Sequence, residues 1–276
     1  MDTSQDLYVN LLKQVLSRTI VPEKYHPLNN DQAPTKAVSK MILGVLGGFL
    51  DRYDLEIVRR YTPDPAKRLE GLDWPPDAET MIGRKRLNNV HFCVSEVLRQ
   101  GVPGDLIETG VWRGGCSILM KAILSAYGDT TRTVWLADSF AGLPKPDAEQ
   151  YPADAGDKHW EKSDILAIPI ETVKANFERY GLLDDRVKFL KGWFKDTLPT
   201  APISQLAVAR LDGDMYESTI QALDALYPKL SSGGFLIVDD YALPGCKAAV
   251  DDFRRTHSIM EPLEIVDWSG VYWQKK

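Results

Sequence analysis

From residue 105 to the C-terminus, apolar strand segments alternate with helical segments, and this alternation constrains the fold more than any other feature. Helical patterns such as SILMKAILSAYG (117–128) and STIQALDALYPKL (218–230) lie between most of the strands. The candidate strands are DLIETG (105–110), TVWLAD (133–138), VKFLKG (187–192), LAVARLD (206–212), GFLIVDD (234–240), LEIVDW (263–268) and GVYWQK (270–275). This order predicts an α/β fold with a Rossmann-like, doubly wound and mostly parallel seven-stranded sheet. Ligands of such a sheet bind beyond the carboxyl ends of its strands.

Residues 1–85 show a different pattern and are predicted to form an N-terminal helical cap and oligomerisation segment, while 86–276 form the domain that contains the Rossmann-like sheet. A second helix of this segment is expected at AVSKMILGVLGGFL (37–50). In the first predicted helix, over 6–18, the apolar side chains share one face: Leu7, Leu11, Leu12, Val15 and Leu16. That face packs either on the protein's own core or on a second copy of the chain.

Charge and composition exclude several classes of protein. The net charge of −6 comes without any block of Lys or Arg, so nucleic acid is not an expected partner. The first residues do not resemble a secretory signal, and no stretch of about 18 apolar residues suits a membrane. Cys93, Cys116 and Cys246 lack metal-ligand spacing, which fits buried thiols in a reducing compartment. These features predict a cytoplasmic protein.

The first predicted strand of the sheet ends in a glycine-rich loop, ETGVWRGG, which begins with Glu108 and Gly110. A nicotinamide dinucleotide site would read G-x-G-x-x-G, whose glycines admit a pyrophosphate to a helix N-terminus. Here the first glycine pair is missing and a carboxylate stands where the phosphate would come. A carboxylate repels pyrophosphate but suits an ammonium or a sulfonium cation, and S-adenosylmethionine carries both. The loop therefore favours S-adenosylmethionine as the cofactor.

The ends of the next two strands fit the rest of this cofactor. Asp138 follows the second strand, where an acid can accept hydrogen bonds from both ribose hydroxyls. Gly192 and Trp193 follow the third strand and offer an aromatic edge for adenine. An aspartate after a strand is as often a helix cap. The three features on consecutive strands together favour a cofactor site of the class I methyltransferase type.

Two further strand ends carry aspartates, Asp212 with Asp214 and Asp239 with Asp240. Neighbouring parallel strands would bring these carboxylates together, and two such charges about 4 Å apart repel by roughly 4 kcal/mol at an effective dielectric of 20. Either the group takes up protons or a cation neutralises it. Since no Cys or His lies at ligand spacing, the oxygen ligands favour Mg²⁺, Mn²⁺ or Ca²⁺ over Zn²⁺. The alternative is that the aspartates cap helices and line a solvated rim.

A divalent ion beside a sulfonium methyl donor can chelate two adjacent hydroxyls of an acceptor and lower the pKa of one of them. The remaining step needs a base. Asp214 is a candidate because it lies two residues past Asp212. His159 is the rival because the pKa of histidine suits neutral pH. It lies in a long polar insertion over about 142–168, a length typical of a lid.

Several long motifs, taken in order, resemble the macrocin-type O-methyltransferases that act on deoxysugars of macrolide and aminocoumarin antibiotics. The motifs cover most of the chain: LYVNLLKQVLS, GLDWPPDAETMIGRKRLNN, ETGVWRGG, LADSFAGLP, ARLDGDMYEST, GGFLIVDDY and VYWQKK. The resemblance implies an enzyme that depends on S-adenosylmethionine and Mg²⁺ and that forms a homodimer or larger oligomer through N-terminal elements.

The resemblance also implies roles for particular residues. Asp214 is a candidate base, and His159 matches the family's lid histidine. The implied metal ligands are Asp212, Asp239 and Asp240. The implied cofactor-binding residues are Thr80, Met81, Glu108, Gly110, Asp138, Ser139, Gly192, Trp193 and Asp212. The implied acceptor is a hydroxyl of a deoxysugar in a small-molecule glycoside.

Three alternatives are weighed against this interpretation. The same chemistry could act on a catechol or another vicinal diol, which needs a tight aromatic gate where a glycoside needs an open, apolar cleft. A nicotinamide-dependent oxidoreductase would need phosphate-cradling glycines and a Tyr or Lys proton donor, and neither is found. A non-catalytic cofactor-binding subunit predicts an eroded acidic cluster, whereas the cluster is complete.

Overall fold

The computed structural model of the chain describes residues 3–27 and 46–276. Its strands are β1 Tyr25–Pro27, β2 Val58–Arg60, β3 Asp105–Thr109, β4 Val134–Asp138, β5 Val187–Lys191, β6 Leu206–Leu211, β7 Leu230–Val238, β8 Glu264–Ile265 and β9 Val271–Gln274. Its labelled helices are α1 Ser4–Leu16, α2 Pro65–Glu70, α3 Arg84–Gln100, α4 Gly115–Ala126, α5 Ser163–Leu166, α6 Ile170–Arg179, α7 Phe194–Thr197, α8 Tyr216–Leu226 and α9 Pro244–Thr256. Residues 46–50 are also helical.

Seven strands form one sheet in the order β5-β4-β3-β6-β7-β9-β8. Neighbours from β5 to β7 run parallel, while β9 is antiparallel to both β7 and β8. This arrangement confirms the predicted doubly wound, mostly parallel sheet. The strand order reverses at β3, between β4 and β6, so the carboxyl ends of these strands border the crevice where such folds bind ligands. One strand was predicted too long, because within LEIVDW only the two residues of β8 pair, at the edge of the sheet.

Apolar layers cover both faces of the sheet. On one face, residues of α1, α3, α4 and α6 pack with β3 and β4 in a single buried cluster. On the other face, α8 and α9 pack against β6, β7 and β9. Every residue of β6 is buried, because helices cover this central strand on both faces. The buried centre of the sheet thus carries the strand ends that the sequence marks as functional.

Helix α1 divides its apolar residues between two environments. Leu12 and Leu16 are buried in the core, together with Val9. Leu7 and Leu11 of the same predicted face remain exposed. The helix therefore packs on its own core and still presents apolar surface to its surroundings. The predicted helix over 37–50 lies outside the described residues, except for the helical 46–50.

Within the described residues, 3–27 and 46–276, no helix is both long enough and apolar enough to cross a membrane.

Candidate active site

A cavity of about 360 Å³ opens at the carboxyl ends of β3, β4, β5, β6 and β7. All residues that the sequence analysis selected line this one cavity: Thr80, Met81, Glu108, Gly110, Asp138, Ser139, His159, Gly192, Trp193, Asp212, Asp214, Asp239 and Asp240. Residues as far apart as Glu108 and Asp240 meet because parallel strands end at the same edge of the sheet. The 79–83 segment adds Thr80 and Met81, and the insertion after β4 adds His159.

The glycine-rich loop after β3 is folded tightly against the end of β6. Gly110 has a φ of +78°, and a Cβ at this position would collide with the main-chain oxygen of Asp212. Only glycine satisfies both conditions. The Gly115 N–H donates to the carbonyl of Glu79 at 2.9 Å, which places Thr80 and Met81 on the cavity wall. The loop and the 79–83 segment thus form two walls of one pocket.

Asp138 organises the loop from the end of β4. Its Oδ2 accepts the Val111 N–H at 2.7 Å, and its Oδ1 accepts the Phe140 N–H at 2.7 Å. Burial raises the pKa of Asp138, although these backbone hydrogen bonds oppose the shift. Both oxygens still have lone pairs for a ligand. Asp138 therefore fixes the loop and borders the cavity at the same time.

The ends of β6 and β7 bring three carboxylates together. One oxygen from each of Asp212, Asp239 and Asp240 lies within 4.8 Å of the other two. Asp214 lies beside them, and its N–H donates to Asp240 Oδ2 at 3.2 Å. The sequence predicts these acids at two strand ends that meet only if the strands are neighbours, and β6 and β7 are neighbours in the sheet. The donor set is all oxygen, as a hard divalent cation requires.

Two arginines that sequence reasoning missed enter this cluster. Arg210, on β6, is fully buried and lies between three acids at the ends of β3, β6 and β7. Its Nη1 is 2.6 Å from Glu108 and 2.8 Å from Asp212, and its Nη2 is 2.5 Å from Asp239. Arg86, from α3, pairs with Asp239 and, at 2.9 Å, with Asp267. The signal for Arg210 was present, because it is a charged residue inside the otherwise apolar strand LAVARL. Buried arginines are almost always paired.

These arginines divide the aspartates electrostatically. Burial alone would raise the pKa of Asp239, but Arg210 and Arg86 outweigh it and hold that pKa below its ordinary value. Asp240, the next residue, touches neither guanidinium, and burial with the charges of Asp212 and Asp214 raises its pKa well above the ordinary value. Burial and the charge of Asp212 also raise the pKa of Asp214 to about 7. The arginines therefore neutralise one part of the cluster and leave the other part with excess negative charge.

Glu108 has partners for both of its carboxylate oxygens. Arg210 donates to Oε1 at 2.6 Å and the Ser117 hydroxyl donates to Oε2. The side chain is buried, and burial raises its pKa to about 7 although Arg210 opposes the shift. From the sequence, this carboxylate is expected to face an ammonium or a sulfonium of the cofactor. Glu108 does line the cavity, but both of its oxygens already accept hydrogen bonds from the protein.

The insertion after β4 covers one side of the cavity, and His159 reaches the lining from it. His159 Nδ1 lies 2.8 Å from Asp157 Oδ2, and the Asp157 side chain also accepts the His159 N–H at 2.8 Å. The imidazole is thereby held in one orientation. The charge of His159 lowers the pKa of Asp214, so the two candidate bases lie close enough to interact.

Two partly exposed tryptophans complete the lining on the outer side. Trp268 follows β8; its indole N–H donates to the Glu70 carbonyl at 2.9 Å, and the guanidinium of Arg86 lies 5.7 Å from its ring centroid. Trp74 belongs to the cap segment, and Lys162 Nζ lies 5.5 Å from its ring. No spacing rule in the sequence joins these two positions. They add apolar faces to a site otherwise rich in carboxylates.

Comparison with solved structures defines the class of the protein. The structure of the O-methyltransferase NovP matches with a TM-score of 0.83 at 44% sequence identity, over 99% of this chain and 100% of that chain. This similarity over the whole chain identifies an O-methyltransferase. The family model described as Macrocin-O-methyltransferase (TylF) matches residues 5–275, and the chain belongs to this family.

Curated relatives agree with this assignment. The 8-demethyl-8-(2,3-dimethoxy-alpha-L-rhamnosyl)-tetracenomycin-C 4'-O-methyltransferase of Streptomyces olivaceus is 49% identical over 99% of this chain and 94% of its own length. The demethyldecarbamoylnovobiocin O-methyltransferase of Streptomyces niveus is 54% identical over 75% of this chain and 80% of its own length. The predicted family and the predicted enzyme class are therefore confirmed.

Proposed function

We propose that this enzyme transfers a methyl group from S-adenosylmethionine to a hydroxyl of a deoxysugar in a natural-product glycoside, with Mg²⁺ bound at the aspartate cluster. The observation that carries the proposal is the convergence of Asp212, Asp239 and Asp240 on the cavity that the glycine-rich loop also lines. The names of the relatives support the acceptor, since one names a rhamnosyl-tetracenomycin and another names demethyldecarbamoylnovobiocin.

The donor end of the cavity suits S-adenosylmethionine. Asp138 offers two carboxylate oxygens for ribose hydroxyls, and Ser139 follows it on the same wall. Trp193, after β5, offers an indole face for adenine. Thr80 and Met81 border the loop of Gly110, where the methionine part would lie. When bound, the cofactor supplies a methyl group on an electrophilic sulfonium.

The acceptor end suits Mg²⁺. Asp212, Asp239 and Asp240 would hold the ion, which would act as a Lewis acid that brings two neighbouring hydroxyls together and lowers the pKa of one. Asp240 fits this role best, because neither arginine pairs with it and its pKa is raised as expected for a carboxylate that lacks a cation. Asp239 can also bind the ion, because each carboxylate oxygen has a further lone pair beside the one that accepts from an arginine. The arginines fix the orientation of its side chain.

Two residues are candidates for removing the acceptor proton. Asp214 has a pKa near 7, which allows it to accept a proton at neutral pH. His159 is held by Asp157 with one ring nitrogen, which leaves Nε2 for the acceptor. Asp214→Asn should lower turnover and leave the affinity for Mg²⁺ nearly unchanged. Unchanged turnover in that variant would assign the base to His159.

The direct test is mass spectrometry of candidate glycosides and catechols incubated with S-adenosylmethionine, with Mg²⁺ or with a chelator. We expect a gain of one methyl on a glycoside only when Mg²⁺ is present. Methylation of catechols alone would replace the acceptor class, and methylation in the presence of chelator would refute the metal. Asp212→Asn should lose the metal-dependent turnover and keep affinity for S-adenosylhomocysteine, while Asp196→Asn, at an exposed position of α7, is the matched control.

We also propose that the enzyme acts in the cytoplasm as a homo-oligomer. Three free, buried cysteines fit a reducing compartment. The exposed Leu7 and Leu11 of α1 form an apolar surface suited to a second copy. Replacing both by Ser should lower the mass in light scattering, while Ile265→Ser, at an exposed edge position, should not. An unchanged mass in the double variant would refute this surface as the interface.

A further inference from the structure

One buried aspartate attaches the lid insertion to the start of helix α8, directly after the loop with Asp212 and Asp214. Asp154 is 2% exposed although it belongs to a long surface insertion. Its Oδ1 accepts the Tyr216 N–H at 2.6 Å, and its Oδ2 accepts the Glu217 N–H at 2.9 Å. These two N–H groups are the first two of helix α8. A residue of the lid therefore caps a helix that begins 62 positions later in the chain.

Helix α8 needs this cap because its own sequence does not supply one. Met215 occupies the N-cap position and makes no side-chain hydrogen bond to the helix. The first N–H groups of a helix lack intrahelical partners and normally receive a side chain of Ser, Thr, Asp or Asn. Asp154 replaces that residue and adds a negative charge at the positive end of the helix dipole.

The capped end of α8 directly follows the loop that carries Asp212 and Asp214. Asp214 has a φ of +60°, a left-handed conformation that costs energy for a non-glycine residue. The loop is held from within the catalytic region by the Asp214 N–H bond to Asp240 and by the Ser218 hydroxyl bond to the Gly213 carbonyl. Asp154 fixes the next residues of the backbone. The hydrogen bonds of Asp154 therefore help to fix the position of Asp214.

The same aspartate positions the lid side of the cavity. The Asp154 carbonyl accepts the Asp157 N–H at 3.1 Å, and Asp157 in turn holds His159. The ring of Tyr151 packs 6.0 Å from that of Tyr216, at the same junction. Gly245, at the start of α9, leaves the space for Asp154, because a Cβ there would press on Oδ1. The lid root is thus built into the fold between α8 and α9.

We propose that Asp154 is a positioning residue that joins the lid to the Asp212–Asp214 loop, so that His159 and Asp214 reach the acceptor only while this junction is intact. The inference rests on the proposed function, which gives Asp214 and His159 their roles. Asp154 does not line the cavity, so its role is to position the loop and the lid.

The test compares Asp154→Ala and Asp154→Asn with Asp147→Ala. Asp147 is the matched control, because it also accepts a backbone N–H, that of Gln150 at 3.1 Å, but only within the lid. In Asp154→Ala we expect kcat to fall roughly 10- to 100-fold, since a small displacement of catalytic groups costs up to about 100-fold. The KM for S-adenosylmethionine and the affinity for S-adenosylhomocysteine should stay near the wild-type values, because the cofactor end lies on other strands. Asp154→Asn, which keeps one acceptor oxygen, should be intermediate.

Limited digestion with trypsin gives a readout that does not depend on activity. Lys158 and Lys162 lie just beyond the junction, so cleavage there should be faster in Asp154→Ala and unchanged in Asp147→Ala. Wild-type kcat and wild-type cleavage in Asp154→Ala would overturn the inference. An equal loss in Asp147→Ala would also overturn it, because any loosening of the lid would then suffice. If Asp154→Ala does not fold, Asp154→Asn decides by the same two measurements.

Failure of the proposed function would look different. Wild-type enzyme without Mg²⁺-dependent methyl transfer would remove the roles of Asp214 and His159, while faster cleavage in Asp154→Ala would still show the junction. Active wild-type enzyme with unaffected Asp154 variants would remove only the junction.

Discussion

Two adjacent residues at the end of β7 behave in opposite ways, and the difference separates two regions of the site. Asp239 lies on what we term the arginine side, formed by Glu108, Asp239, Asp267, Arg86 and Arg210. Its pKa is lowered because two guanidinium groups stabilise the charged form. Asp240 lies on the cavity side, formed by Asp212, Asp214 and Asp240, and its pKa is raised. One residue step changes the partner and thereby the sign of the shift.

The chain neutralises its own acids on the arginine side and leaves excess negative charge on the cavity side. On the arginine side, buried charges are paired within the chain, which makes that side part of the folded framework. On the cavity side, Asp212 is the only member within ion-pair distance of Arg210, and the pKa values of all three acids are raised. Groups held in an unfavourable charge state at a cavity are typical of functional sites. Substitutions on the two sides should therefore affect different properties.

The largest effect is expected from Arg210→Met, which breaks the arginine side. Removing one partner of a buried ion pair costs about 3–5 kcal/mol because the remaining charge stays buried without a partner. Here three carboxylates lose their shared cation. Denaturant unfolding should show the loss, with the exposed Arg99→Met as the control whose unfolding midpoint stays at the wild-type value. A small loss in Arg210→Met would mean that the acids protonate at little cost, and the division into two sides would fail.

Asp240→Asn tests the cavity side and should show the opposite profile. We expect kcat with Mg²⁺ to fall by about 100-fold or more, because a metal ion contributes several kcal/mol to charge stabilisation. The free energy of unfolding should stay the same or rise, since one of several mutually repelling acids is removed. Steady-state kinetics and denaturant unfolding measure the two properties. Asp239→Asn is the paired control, in which we expect a loss of stability. If Asp240→Asn also lost stability, the two acids would not belong to separate regions of the site.

The fold was predictable from the sequence because helical and strand periods are local properties. The strand ends followed from that periodicity, so the acids and glycines at those ends, from Glu108 to Asp240, could be chosen in advance. Thr80, Met81 and Ser139 were implied only by the family resemblance. The arginine partners could not be found in this way. Arg86 meets Asp239 across 153 positions of sequence, and only the packing of α3 beside β7 creates that contact. In the sequence alone, Asp239 therefore looks like an unpaired acid, whereas in the fold both arginines pair with it.

The lid shows a similar limit. The length of the insertion predicted a lid, and His159 was selected from it. Nothing in the local sequence showed that Asp154 caps α8, because an aspartate in a polar loop is ordinarily exposed. The only sequence signal was the missing cap at Met215, which indicates that a distant residue must satisfy the first N–H groups of the helix.

The pH dependence of stability should report the raised pKa of Asp214 on the cavity side. For Asp214, the folded pKa of about 7 lies above the ordinary value of 3.8, so the folded state binds more protons in this interval. The contribution of Asp214 to the free energy of unfolding is therefore most favourable below pH 3.8. It is lost as the pH rises from 3.8 towards 7. Unfolding of the metal-free protein between pH 4 and 8 should show this decline. Asp214→Asn should flatten it and Asp147→Asn should not; an unchanged slope in Asp214→Asn would place the titrating group elsewhere.

The smallest effect is expected at the far end of the arginine side, from Ser117→Ala. This change removes the hydroxyl that donates to Glu108 Oε2 and leaves a buried carboxylate oxygen without a partner. Such a loss costs about 1–3 kcal/mol, and the remaining bond from Arg210 should keep it near the lower end. Ser125→Ala on the same helix, at an exposed position, is the matched control for helix propensity. Because the hydroxyl bond lowers the pKa of Glu108, its removal should raise that pKa above 7 and make the stability loss grow with pH. A loss that does not vary with pH would mean that Ser117 contributes packing alone, and the arginine side would then end at Glu108.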